Sequence, residues 1–128
     1  MRWLQAFNSA SEATTLTDMN AGTGSTAGSF VPPVDARIKK VAIYIGYEAA
    51  TSLVEDVRVE LENTNWSPNR LHFLASGNGI RTAPAFNQPV YEYDVDLGMA
   101  QQSPIVGQVI HTSGSPVTAR VRVLFGFM

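Results

Sequence analysis

The chain has 128 residues, 45% of them apolar and 16% charged, which suits one domain and leaves no room for a second core. Nine basic residues against eleven acidic give a net charge of −2, so no direct binding of nucleic acid is expected. No cysteine is present, which excludes disulfides and thiolate metal sites.

The opening MRWLQAF lacks the apolar run of a secretory signal, and no window approaches the roughly 18 apolar residues of a membrane span. Synthesis in the cytoplasm and a soluble product are therefore expected. Trp3, Leu4 and Phe7 form an apolar knot too short to fold alone. Between Ala21 and Ser29 the chain consists only of Gly, Ala, Ser and Thr, which bury too little apolar surface to offset their ordering entropy. The next anchor is FVPPV, where Phe30 and Val31 are apolar and Pro32 and Pro33 hold the chain extended. Residues 1–34 thus read as an arm fixed at both ends and laid over a neighbouring subunit, ahead of a domain at 35–128.

From Asp35 onward apolar residues alternate with period two, broken by Gly, Pro, Asn and Ser. In DVRVELEN, Val57, Val59 and Leu61 face one way and Arg58, Glu60 and Glu62 the other, giving one buried and one wet face. In PVYEYDVDLG, Tyr91, Tyr93, Val95 and Leu97 oppose Glu92, Asp94 and Asp96. The last segment, PVTARVRVLFGFM, sets Val117, Ala119, Val121, Val123, Phe125 and Phe127 against Thr118, Arg120 and Arg122. Residues 37–48, 70–76 and 104–113 are less one-sided, and both of their faces are expected to be covered. Turns are expected at 64–69, 77–79 and 113–116, and YEAATSLVED suits a loop or a single helical turn. Crossover helices are missing. The reading is an all-β, antiparallel two-sheet sandwich, specifically a single jelly roll if residues 1–30 add one or two strands.

No motif names an activity. Glu92, Asp94 and Asp96, about 7 Å apart along one strand face, could serve paired-carboxylate chemistry or a cation. The ordinary alternative is a solvated row paired with bases such as Arg120 and Arg122. His72 and His111 lack partners at a metal-ligand spacing. GTGSTAG has neither the spacing of a dinucleotide loop nor the lysine of a phosphate loop, and NWS at 65–67 reads as a turn. Tyr44, Tyr47, Trp66, Tyr91 and Tyr93 could form a sugar-binding platform, although aromatic residues more often fill such a core. No catalytic residue, cofactor or metal is expected.

In plan, a small antiparallel sandwich with an N-terminal arm and a C-terminus inside a strand resembles the single jelly-roll coat proteins of icosahedral viruses. The resemblance implies a structural virion protein without catalysis, whose partners are copies of itself and other capsid proteins. It makes Trp3, Leu4, Phe7, Phe30 and Val31 the residues of an assembly arm, and it places the protein in the virion. Only Arg2 is basic before Arg37, unlike the basic arms that neutralise RNA genomes. The resemblance is accordingly to coats whose genome is enclosed by an internal membrane, touched peripherally, or by other proteins. A cement or decoration protein has the same signature. The alternative is a carbohydrate-binding or other ligand-binding sandwich module.

Overall fold

The computed structural model describes residues 1–9, 15–32, 37–47, 55–77, 90–98, 103–111 and 119–128. Among them are ten strands: β1 (Arg2–Asn8), β2 (Thr17–Asp18), β3 (Asn20–Ala21), β4 (Ser29–Phe30), β5 (Arg37–Tyr47), β6 (Glu55–Glu62), β7 (Arg70–Gly77), β8 (Val90–Gly98), β9 (Ile105–His111) and β10 (Ala119–Phe127). They form two antiparallel five-stranded sheets packed face to face, with no helix among the described residues.

Sheet A runs β3-β1-β10-β5-β8; sheet B runs β2-β9-β6-β7, with β4 also paired to β9. Both β2 and β4 lie along β9, at Gln108–Val109 and Ile105–Val106, and so act as one interrupted strand. Each sheet thereby interleaves strands from the two ends of the chain: β1, β10, β5 and β8 in one, β2/β4, β9, β6 and β7 in the other. This nested wrap is the connectivity of a jelly roll.

Alternation builds the core as expected. Val57, Val59 and Leu61 of β6, Val121, Val123 and Phe125 of β10, and Val41, Ile43 and Ile45 of β5 are all buried between the sheets. Each such side chain contributes roughly 1.5–3 kcal/mol of transfer free energy. Tyr91, Tyr93, Val95 and Leu97 of β8 pack against that core from its open side. β5 is covered on both faces in part, since the outward Ala42 is buried as well. β9 and β7 differ from expectation. β9 alternates buried and open residues from end to end, and the outward Leu74 of β7 is 63% exposed. Both strands are one-sided.

The N-terminal third supplies the further strands that the jelly-roll reading asks for, and they lie in the chain's own sheets, where residues 1–34 were expected to lie over a neighbour. β1 is a full member of sheet A, paired with β10 from Arg2↔Phe127 to Asn8↔Arg122. Phe7 and Phe30 join Phe125 and Phe127 in a cluster of edge-on and stacked rings with centroids 5.5–6.5 Å apart. Phe7 is core of its own domain, and the partly buried Phe30 packs against that core.

The glycine-rich stretch is held the same way. From β2 the chain leaves sheet B, pairs Asn20 and Ala21 with Asn8 and Phe7 of β1, and returns to sheet B as β4. Gly22 N–H donates to Ala6 O at 2.7 Å, while Gln5 Nε2 and Asn8 Nδ2 donate to Gly22 O at 3.0 and 2.8 Å. Gly22 has φ 59°, which glycine adopts without steric penalty. The physical reason for the difference is that main-chain bonds to β1 replace the apolar burial that the small side chains cannot supply. The expected boundary between 34 and 35 lies outside the described residues, as do 48–54, 78–79, 113–116, Val117 and Thr118.

Candidate functional site

Three surfaces deserve comparison: the acidic row of β8, the polar outer face of sheet B, and the free edge of β1. Two members of the acidic row, Asp94 and Asp96, are paired with bases of β5. Register places β5 beside β8, so Lys40 Nζ reaches Asp94 at 3.0 Å, and Arg37 and Lys39 both reach Asp96, the latter at 2.9 Å. Hydrogen bonds from Arg37 and then Lys39 hold the Asp96 carboxyl well below the usual carboxylate range. The expected partner Arg122 lies one strand further away, across β5. Among the described residues no group of three His, Asp or Glu is placed to hold a metal ion.

The outer face of sheet B carries a network that alternation alone could not show. Glu60, assigned by pattern to a wet face, is only 5% exposed. It lies on β6 between Gln108 of β9 and His72 of β7. Its carboxylate accepts from Arg58 and Arg70, each at 3.0 Å, and His72 Nε2 stands 3.3 Å away. Arg70 also pairs with Glu62 and donates to Gln108 at 2.9 Å, and Gln108 donates to Asp18 at 2.8 Å. Burial pushes the Glu60 carboxyl up, but Arg70, the His72 charge and Arg58 outweigh it, and the net displacement is downward. Arg70 is correspondingly raised by Glu60 and Glu62. This is a satisfied, cross-strand lattice spanning four strands.

Of the aromatic residues weighed for a sugar-binding platform, Trp66 and Tyr93 have definite places. Trp66 is 5% exposed and belongs to the core cluster at the β6–β7 turn, the turn expected at 64–69. Asn63, also buried, fixes that turn: its Nδ2 donates to Pro104 O at 3.0 Å and Ser103 O at 3.3 Å, and its Oδ1 accepts from Asn65 N–H at 2.8 Å. Tyr93 packs at a tilt against Phe73 with ring centroids 5.2 Å apart, and its hydroxyl donates to Leu74 O. His111 is buried on the inner face of β9.

The five residues expected to form an assembly arm divide. Phe7 is buried, and Phe30 and Leu4 are half-buried against the core, whereas Trp3 and Val31 remain exposed. Trp3 is 37% exposed, opposite Gly126 on the outer face of sheet A, with Met1 lying over Gly126. β3 covers β1 only at Phe7 and Asn8. Among the described residues, no strand pairs with Arg2–Gln5 on the side away from β10. No helix among the described residues is long and apolar enough to cross a membrane. No family model, curated protein or solved structure matches this chain.

Proposed function

We propose that this chain is a structural virion protein that self-assembles into, or decorates, an icosahedral capsid and performs no catalysis. The observation that carries the reading is the jelly-roll wrap, β1-β10-β5-β8 against β2/β4-β9-β6-β7. The charged side chains support it, because the carboxylates at Glu60 and Asp96 are engaged in ion pairs with neighbouring strands. Its partners are further copies and other capsid proteins. With a net charge of −2, the chain has no electrostatic attraction for a genome.

Sedimentation of the purified chain over a wide concentration range, followed by negative-stain imaging, tests the reading. Closed shells, or discrete oligomers that grow with concentration, are expected. A monomer at every concentration overturns self-assembly. For the sugar-binding alternative, Trp66 is no surface platform, because its indole is packed inside the sandwich.

A further inference from the structure

A sandwich exposes the outer strands of its sheets, and an unpaired strand edge is a template for another chain unless something blocks it. The long edges here differ in how they are blocked. On β8 the outward row is Glu92, Asp94 and Asp96, so antiparallel pairing with the same strand of a second copy would set acid against acid. On β7 the Tyr93 hydroxyl already takes the Leu74 carbonyl, and the flanking residues are Arg70 and His72. Among the described residues the start of β1 has no such device. Its single charged side chain is Arg2, its outward residue is the partly exposed Trp3, and its free length ends where the bulge between Gln5 and Phe7 and the pairing with β3 begin.

We propose that Met1–Gln5 is a docking edge for the same edge of a second copy, joined antiparallel about a two-fold axis so that sheet A continues from one subunit into the next. This names the contact for the self-assembly proposed above and rests on that reading. The segment is complementary to itself. Residues directly opposite in an antiparallel pair share a face, so Trp3 must meet Trp3, Met1 must meet Gln5, and Arg2 must meet Leu4. No like charges oppose in that register. Two indoles close over the outer face, and the half-buried Leu4 extends the inner one. The contact is isologous, as most closed two-fold contacts are.

The chain has no cysteine, so Trp3→Cys introduces a single thiol, and directly opposite residues of an antiparallel pair lie within disulfide reach. Mild oxidation of Trp3→Cys is expected to give a disulfide-linked dimer at least tenfold faster than oxidation of Leu16→Cys, an exposed position elsewhere. Trp3→Asp and Trp3→Lys should each weaken association at least tenfold in sedimentation, and an equimolar mixture of the two should restore it. In all three Trp3 variants Trp66 is the sole remaining tryptophan, and its blue emission verifies that the sandwich has folded.

Folded Asp and Lys variants that associate as the unchanged chain does would overturn this edge and leave self-assembly standing. Weakened variants whose mixture stays dissociated would overturn the Trp3-to-Trp3 register. An unchanged chain that remains monomeric would overturn both the contact and the self-assembly it serves.

Discussion

Gly107 of β9 lies directly beneath the ring of Phe7 of β1: a β-carbon built on Gly107 would stand 2.9 Å from the Phe7 ring atoms. The two residues belong to opposite sheets, and the missing side chain on one makes room for the large side chain on the other. Gly107→Ala is therefore expected to destabilise the fold by about 1–3 kcal/mol, the range of an overpacked core. A lowered urea midpoint with unchanged slope checks it, and a midpoint equal to that of the unchanged chain would show that the ring moves aside freely.

The lattice around Glu60 makes stability depend on pH in a definite direction. Its carboxyl is held low in the folded state, so its contribution is present above the ordinary glutamate value of about 4.3 and is lost as pH falls through the lower folded value. Glu60→Gln should thus be less stable than the unchanged chain at pH 7, and the gap should be narrower at pH 3. Denaturation midpoints of both at the two pH values decide it; a gap of constant size would remove the ion lattice as its cause.

Trp66→Ala is expected to cost about 3–5 kcal/mol, because the indole is core. Calorimetry reads that loss as a lowered melting temperature. A melt close to that of the unchanged chain would return Trp66 to the surface and reopen the platform. Loss of any ligand signal in this variant would therefore need to be separated from loss of the fold.

The amide of Gly22 should be protected from exchange in the monomer itself, since it donates to Ala6 O within the same chain. Gly22→Ala, forced into a left-handed backbone conformation, should cost about 1–2 kcal/mol and speed exchange at Gly22 and Gly24. Exchange measured by NMR on dilute protein provides the check. Rapid exchange of Gly22 in the unchanged monomer would mean that the stretch needs a neighbour to hold it.

The central strands were legible because each is buried on one side, and burial on one side leaves a period of two in the sequence. Val57, Val59 and Leu61 could be assigned inward without any knowledge of their partners. β1 was hidden for a local reason: its bulge puts both Ala6 and Phe7 inside, which breaks the alternation at the point where the strand enters the core. The glycine-rich detour was hidden because main-chain bonds to β1 order it, and main-chain bonds leave no mark on residue type.

Partners across a sheet were the other blind spot. Asp94 and Asp96 meet Lys40, Arg37 and Lys39 only because β5 neighbours β8, a fact of register and strand order. Glu60 alternates outward like any surface acid, yet Arg58 of its own strand and Arg70 of the flanking β7 reach its carboxylate. The candidate arm was legible as a set of apolar residues and illegible as a destination. Phe7 is buried in the chain's own core, and Phe30 packs on it half-buried.

The position of β10 between β1 and β5 bears on how the chain is made. Residues near the start and residues near the end of the described chain are neighbours in the middle of one sheet. Until 119–127 are available, β1 and β5 have nothing to bridge them, and sheet A exists as two half-sheets with apolar faces. Topologies dominated by such distant pairings fold slowly and expose sticky intermediates on the way. The strand synthesised late is the keystone. A chain stalled or trimmed before residue 119 would leave both half-sheets open, and in a cell producing many copies at once that shortened form is the one to expect in aggregates.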